Sequence, residues 1–367
     1  MKKRLFSLLL VSVLVFTLTS CGEKSLLRET DPVTLNFWHV YGEQSGSPMD
    51  LLVQEFNRTV GQEKGVRVQV TNLSSASKIG GFLKEAKKGG RDAPEMPDLF
   101  TCHISDATAL GSDNLVDWNA RFTAEELSNF VPGFLADGMT EDGTLLLFPI
   151  SKSTQLLMCN GSGFARSLAQ GHVVVSDLYS NTQVMTGDVL SGLGSSAAIL
   201  YYNDTVTYRD GTQEPMDLHV LPMPKTAGAD ALMTQAGVGL CAYKTTDQKA
   251  EAAALFVRWL TESERNLDFV AQTGYMPVRN GAFDAIENYD KFPEPTESYR
   301  QLYAALKIMQ ENYTPLSEPR FEGYYGKVSQ LYDGLRKMQQ ELPARAAAGE
   351  SIDTLAEETW ALLCAIH

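Results

Sequence analysis

The chain is short of several things, and each shortage excludes something. It has only five cysteines in 367 residues, too few for a disulfide scaffold. Its 29 Gly and 15 Pro follow no triplet pattern, and 44% of residues are hydrophobic, so neither a collagenous nor a disordered chain fits. Positive charge is the weaker sign, with 31 Lys and Arg against 45 Asp and Glu and a formal net charge of −14. A nucleic-acid binder would carry the opposite balance. Acidity by itself says only that the protein is soluble and self-repelling. The five histidines, His39, His103, His172, His219 and His367, show no metal-ligand spacing. There is no Gly-x-Ser-x-Gly elbow, and Gly192-Leu193-Gly194 lacks the rest of a dinucleotide fingerprint. Neither a metal nor a cofactor is expected. Acidic residues abound, but a sequence does not measure the carboxylate separation that glycoside hydrolysis needs.

What is present begins with an export signal. Lys2, Lys3 and Arg4 precede an apolar run over residues 5–18, and small residues follow. The run is shorter than the ~20 apolar residues that span a bilayer. Leu18-Thr19-Ser20-Cys21 resembles the lipobox of bacterial lipoproteins. That resemblance implies cleavage after residue 20 and a diacylated Cys21 as lipid anchor, carrying palmitate-type chains. Gly22-Glu23-Lys24-Ser25 then reads as a polar tether, and residues 21–31 as a lipid-anchored leader to the fold. Cys102, Cys159, Cys241 and Cys364 sit among apolar neighbours, and buried small hydrophobes are the expected reading. Their even number permits two disulfides, but no spacing suggests a framework.

At roughly 100–200 residues per domain, the length predicts two domains or two lobes. Val33-Thr34-Leu35-Asn36-Phe37-Trp38-His39-Val40 alternates for several residues and reads as a strand. Ser47-Pro48-Met49-Asp50 opens a helix that keeps Met49, Leu52, Val53, Phe56 and Val60 on helical spacing. Val66, Val68 and Val70 make a second strand, residues 78–88 a helix, and Pro97-Asp98-Leu99-Phe100 a third strand. This succession predicts a parallel sheet with covering helices. Thr123-Ala124-Glu125-Glu126 is a capping box. Asp142-Gly143 turns into an expected strand, Leu145-Leu146-Leu147-Phe148, ended by Pro149. One long helix is expected from Asp247 to Thr273, stopping at Gly274. The last hundred residues look helical, with Leu302, Ala305 and Ile308 in one stretch and Val328, Leu331, Leu335 and Met338 in another.

In this order the segments resemble the extracellular solute-binding proteins of ABC importers, in the carbohydrate-binding family related to maltose-binding protein. Leu35-Asn36-Phe37-Trp38-His39 is similar to the family's opening strand, and residues 49–57 to its first helix. Asn114-Leu115-Val116-Asp117 resembles the turn after its next helix, and Pro149-Ile150-Ser151-Lys152-Ser153-Thr154 its first interlobe crossing. Leu221-Pro222-Met223-Pro224 and Gly237-Val238-Gly239-Leu240 resemble the return to the first lobe, and Thr273-Gly274-Tyr275-Met276-Pro277-Val278 the third crossing. The resemblance implies an α/β, two-lobed periplasmic-binding-protein-like fold of type II. Residues 32–148 plus 236–276 would form the first lobe, and 149–235 plus 277–367 the second. It also implies a monomer that binds carbohydrate between the lobes, closes by hinge motion and delivers it to permease subunits in the membrane.

One departure concerns the second lobe. Leu156-Leu157-Met158-Cys159-Asn160 resembles a family strand that normally runs on into a helical segment. Here Gly161-Ser162-Gly163 follows, and the text resumes at Phe164-Ala165-Arg166-Ser167-Leu168, similar to a much later helix. Residues 184–188 then resemble the portion before Ser195-Ser196. The second lobe is therefore shortened near residues 160–164, by a natural short loop or by a deletion.

Sugars take aromatic faces against their C–H patches and amides, carboxylates and hydroxyls against their hydroxyls. Ligands gather outside strand C-termini. The expected ligand contacts are Trp38, His39 and Tyr41 after the first strand, and Ser105 and Asp106 after the third. Ser153, Thr154 and Gln155 past the first crossing join them, with Ser195, Ser196, Gly237 and Tyr275 in matching segments. For Trp38 the alternative is a core position on the first helix, for Ser105 and Asp106 a capping role, and for Gly237 and Gly239 tight backbone passage. Trp118 is expected to pack a helix, and Trp259 to be core. The alternatives in function are a receptor for a polyamine, metal complex or anion, a secreted glycoside hydrolase, and a lipoprotein that only docks to a partner.

Overall fold

A computed structural model describes residues 25–42, 46–73, 76–160, 179–225, 228, 230–317, 319, 321 and 323–350. The export signal, Cys21, the Gly161–Gly163 joint, Phe164–Leu168 and Cys364 lie outside the described residues, as does the side chain of Cys159.

Strand β1 (Val33–His39) buries Val33, Leu35, Phe37 and His39, the period of two that its sequence carries. Helix α1 (Pro48–Arg58) starts as its sequence dictates. The Ser47 hydroxyl accepts from the Asp50 amide, Pro48 takes the first turn, and Met49, Val53 and Phe56 face the core. A short helix α2 (Val60–Lys64) ends at Gly65, whose φ is +66°, and a Cβ there would sit 2.2 Å from the Arg28 carbonyl oxygen. Only glycine meets both demands. Strand β2 (Val66–Asn72) then pairs with β1 in parallel, from Val33 opposite Val66 to His39 opposite Asn72. Helix α3 (Ala76–Lys88) leads to β3 (Leu99–Cys102), parallel to the other edge of β1. The two predicted crossovers are thus present.

After helix α4 (Ile104–Leu110) come two short helices, α5 (Ala124–Ser128), with its capping box complete, and α6 (Pro132–Asp137). The expected strand at 145–148 is not a ladder. The Leu146 and Leu147 amides both donate to Gly138 at the end of α6, and only isolated bridges form, Met139 with Leu145 and Phe148 with Leu240. Leu145, Leu146, Leu147, Phe148 and Ile150 are all buried, so the run is core on both sides rather than a half-exposed strand.

A second sheet follows. Strand β4 (Gln155–Asn160) lies between β5 (Ser191–Ser195) and β8 (Leu218–Leu221), both antiparallel to it. Helix α7 (Ser180–Met185) precedes β5, and β6 (Thr205–Thr207) and β7 (Gln213–Pro215) form a hairpin. Strand β9 (Leu232–Gln235) pairs in parallel with β11 (Thr314–Ser317). Between them β10 (Gly239–Ala242) returns to the first sheet, antiparallel to β3, giving the order β10-β3-β1-β2.

The single helix expected from Asp247 to Thr273 is two, α8 (Asp247–Leu260) and α9 (Ser263–Ala271). Thr261 turns its hydroxyl back to the Val257 carbonyl, Glu262 leaves helical ψ at 139°, and the Arg265 guanidinium caps the Trp259 carbonyl at 2.6 Å. The start is as expected, with the Thr246 hydroxyl accepting from the Lys249 amide. Trp259 and Trp118 are core, the latter donating its indole N–H to the Leu146 and Leu240 carbonyls rather than packing one helix. Helices α10 (Asn280–Ala285), α11 (Thr296–Asn312) and α12 (Tyr324–Ala347) complete the described chain. Leu302 and Ala305 are buried on α11, whereas Ile308 is 47% exposed. The side chains of Leu331, Leu335 and Met338 lie outside those described.

Helix α8 is clipped to α5 by Arg258, which reaches Glu126 at 2.6 Å and lies 4.4 Å over the Phe122 ring. The Arg258 hydrogen bond holds the Glu126 carboxyl below its ordinary range. A depressed carboxyl contributes stability above its unfolded value of about 4.3 that is lost as pH falls through the lower folded value. Glu126→Gln is therefore expected to flatten the loss of stability on acidification below about pH 4.3, measured as urea midpoints against pH.

Candidate functional site

Three segments, residues 149–154, 235–237 and 274–277, are bonded side by side. Ser153 and Ala236 exchange both backbone hydrogen bonds at 3.0 Å. Lys152 and Met276 exchange theirs at 3.3 and 2.5 Å. The Thr154 carbonyl accepts from the Ser196 amide at 2.8 Å, bringing the end of β5 to the same place. Gly274 has φ +68°, and a Cβ there would lie 2.7 Å from Ile199 and 2.9 Å from the Ser196 carbonyl. Gly237, at φ +108°, passes the backbone of Ser153. Gly239, the other glycine expected to serve close passage, would set its Cβ 2.7 Å from Leu147.

Asn266 of α9 fixes this bundle to the first sheet region. It is fully buried, donates its side-chain amide to the Ile150 carbonyl at 2.7 Å, and accepts from the Val278 amide at 3.0 Å. One residue thereby ties the first of these segments to the chain just past the third. Lys152, also buried, pairs with Asp137 at the end of α6.

The predicted contacts fall into groups. Tyr41 is buried, shares a 3.0 Å hydrogen bond with Ser151, and sets its ring edge-on to Tyr275 and Phe269. Burial pushes its phenol well up. Tyr275 is half-buried. Tyr41 and Tyr275 thus meet the first and third crossings together. His39 is buried with both ring nitrogens occupied: Nδ1 accepts from the Tyr41 amide at 3.1 Å, and Nε2 lies 2.9 Å from Asp50. Burial lowers its affinity for a proton, so the ring is neutral with its hydrogen on Nε2, facing Asp50. Its geometry aims the Tyr41 loop.

Trp38 does not pack on α1. It is half-buried on the opposite face of the sheet, edge-on to Phe82 of α3 at 6.3 Å. Ser105 and Asp106 are half-buried in the first turn of α4. The Asp106 carboxylate lies where a Cβ on Gly80 of α3 would be 2.6 Å away, and burial raises its pKa. Ser195 caps the 3-10 turn Ser196–Tyr201 through the Ala197 amide. Gln155 opens β4 opposite Ser195, and its side chain is outside those described.

Two features escape the sequence. Thr154 Oγ1, Ser196 Oγ and Gln235 Oε1 are buried without a hydrogen-bond partner among the described residues. The bridge between Ser153 and Ala236 places Thr154 beside Gln235, and the Thr154 carbonyl holds Ser196. Gln235 carries no motif that would single it out. The second feature is an aromatic pair. Tyr179, just before α7, is 76% exposed and Tyr201 is 51% exposed; their rings are parallel within 5° with centroids 6.5 Å apart. The Ser180 hydroxyl donates to the Leu193 carbonyl, so this end of α7 lies over the middle of β5. Sequence gives the tyrosines but not their exposure. Among the described residues no group of three or more metal-ligating side chains gathers, and no helix is long and apolar enough to cross a membrane.

The protein has an α/β fold related to that of periplasmic binding proteins, with two sheet-containing regions. The family model described as bacterial extracellular solute-binding protein matches residues 163–294. The cyclic α-maltosyl-1,6-maltose binding protein from Arthrobacter globiformis is similar in structure, with TM-score 0.63 and 15% identity over 91% of this chain and 99% of that one. UgpB from Mycobacterium tuberculosis, solved with glycerophosphocholine, has TM-score 0.61 and 15% identity over 91% and 99%. The GacH receptor of Streptomyces glaucescens, solved unliganded and with acarbose, has TM-score 0.59 and 14% identity over 90% and 97%. No curated protein matches the chain.

Asn266→Ala removes both ties and leaves a buried carbonyl and a buried amide unpaired, each costing about 1–3 kcal/mol. A loss of about 3 kcal/mol in unfolding free energy is expected from urea titration.

Proposed function

We propose that the chain is the extracytoplasmic binding component of an ABC importer, taking a carbohydrate between its two sheet regions and passing it to membrane permease subunits. The observation that carries this reading is the set of three segments bonded side by side, taken as crossings between two lobes, with tyrosine rings and buried hydroxyls beside it. Such a neck lets two bodies approach each other around a ligand without either unfolding, and a sugar touching both favours the closed state. The reading includes two lobes of type II, 32–148 plus 236–276 and 149–235 plus 277–367. Residues 278–280 also bond to 129–131 on the first side, through Val131 to Val278 at 2.9 Å and Asn280 to Asn129 at 3.1 Å.

The proposal further includes cleavage of residues 1–20, anchoring through acylated Cys21, a monomeric state and a second lobe shortened near residues 160–164. The proposed ligand contacts are Trp38, Tyr41, Ser105, Asp106, Ser153, Thr154, Gln155, Ser195, Ser196, Gly237 and Tyr275, with His39 as their support. Tyr179, Tyr201 and Gln235 join them. Exposed parallel rings suit the apolar face of a pyranose, and hydroxyls with an amide suit its hydroxyl groups. No step in this function breaks a covalent bond, so the reading is a receptor and not an enzyme. A different small solute is the second reading, supported by the glycerophosphocholine held by one protein of this fold.

Thermal denaturation against a panel of mono- and oligosaccharides tests it. A bound sugar at a hundredfold excess over Kd stabilises by about 2.7 kcal/mol. Tyr201→Ala is expected to weaken the response about tenfold in Kd, the scale of one aromatic contact. Trp38→Ala should also weaken it, and an unchanged response removes Trp38 from the site. A panel without any shift, together with turnover of a chromogenic glycoside, would sink the transport reading.

A further inference from the structure

The binding function leaves two buried thiols unused. Cys102 ends β3, and Cys241 lies in β10, its antiparallel neighbour. Gly239 stands opposite Cys102 and Phe100 opposite Cys241, so the cysteines are diagonal neighbours on one face of the sheet. Their sulfurs are 3.7 Å apart, and Cys241 Sγ is 3.1 Å from the Leu146 carbonyl. To reach the bond length of about 2.0 Å the sulfurs must close further, and for a diagonal pair the two strands must draw together at this point. Both are fully buried among Ile79, Leu83, Phe100 and Leu146. Burial pushes the Cys102 thiol well up, which suits neither a nucleophile nor a solvent-facing redox sensor. A packed, matched pair on adjacent strands is left.

We propose that Cys102 and Cys241 are joined by a disulfide in the mature protein. The bond is made while β10 docks on β3, when both thiols still meet solvent. The oxidant is an external disulfide of the glutathione or protein-oxidant class. One cysteine thiolate attacks the oxidant's sulfur–sulfur bond and releases one thiolate. The second cysteine thiolate then attacks the mixed disulfide and releases the other. The chain loses two protons and two electrons, and the oxidant ends as two thiols. That the bond persists in the cell rests on the export reading, because disulfides endure outside the reducing cytosol.

The position gives the bond a role. The cysteines are 139 positions apart, and the chain between them contains the whole β5-β4-β8 sheet and the first two crossings. The link closes that excursion at its root, where a long loop gives a cross-link its largest effect on the unfolded chain. Both ends lie in the first sheet, so relative motion of the two sheet regions is untouched.

The test refolds the full chain from reductant and denaturant into a buffer of reduced and oxidised glutathione. Remaining thiols are alkylated in denaturant and the digest is mapped by mass spectrometry. The expected result is a peptide linking Cys102 to Cys241, lighter by two hydrogens than its parts, with neither cysteine alkylated before reductant is added. Reductant should lower Tm by several degrees in this protein and leave Tm unmoved in C102A/C241A, which keeps small apolar side chains in both places. Finding both cysteines alkylated without reductant, or each linked to a different cysteine, overturns the proposal. Cell fractionation separates the two readings. An exported chain with both thiols free defeats the disulfide and leaves export standing; a linked pair on refolding, in a chain retained in the cytosol, defeats export alone.

Discussion

The amide of Asn266 is the point on which the neck of this molecule depends. Its donor holds Ile150 and its acceptor holds Val278, so one buried side chain satisfies two backbone groups that leave regular structure. Backbone groups away from water need partners, and segments leaving a sheet have none from a ladder. Asn266 can serve both only because helix α9 is separate from α8. The break at Thr261 and Glu262 turns α9 so that its buried face, with Asn266, Leu267, Phe269 and Val270, meets the crossings. A continuous helix over the same residues would carry Asn266 along the axis of α8. The Arg265 cap of the Trp259 carbonyl, with its guanidinium 3.8 Å over the Trp259 ring, thus bears on the site from a distance.

Polar groups around the crossings divide into those with partners and those without. His39, Ser151, Lys152 and Asn266 each have a protein partner and act as framework. Thr154, Ser196 and Gln235 hold buried oxygens without one among the described residues. An unsatisfied buried polar atom costs on the order of 1–3 kcal/mol, a burden usually seen where function asks for it. The division runs along the chain. Framework groups precede residue 153 on the first crossing, and the open oxygens begin at 154. Both ring nitrogens of His39 are already occupied, so its bearing on a ligand is through the Tyr41 loop that it holds.

Much of the first sheet was legible because its signals are local. Alternating Val33, Leu35 and Phe37, the Ser47-Pro48 start, and alternating Val66, Val68 and Val70 each depend on a few neighbouring residues. The errors come from tertiary context. The apolar run at 145–148 looks like a strand until Gly138 takes its amides. The periodicity across 247–273 is real on both halves, but a threonine back-bond and an arginine cap break it. For Trp38, the alternative of a core place on the first helix fails, because alternation assigns a face without naming what covers it; Phe82 of α3 does. Gln235 and the Tyr179–Tyr201 pair had no signature, since exposure and unmet hydrogen bonds are properties of the folded chain.

The distribution of bonds also says where the neck is stiff. On the first side Ile150, Ser151 and Lys152 are held in turn by Asn266, Tyr41 and Asp137, three partners from three separate segments. Breaking a buried ion pair such as Lys152 with Asp137 strands a charge, so this stretch resists distortion. Beyond Ser153 the Thr154 carbonyl holds Ser196, and nearby the Tyr303 hydroxyl donates to the Val270 and Tyr275 carbonyls. Gly237 and Gly274 stand at this boundary with positive φ, where a side chain would restrict the backbone. Under the proposed receptor function, closure would turn the chain near Thr154, Gly237 and Gly274, beside the open oxygens of Thr154, Ser196 and Gln235, so that a ligand bonding those oxygens acts on the segments that bend.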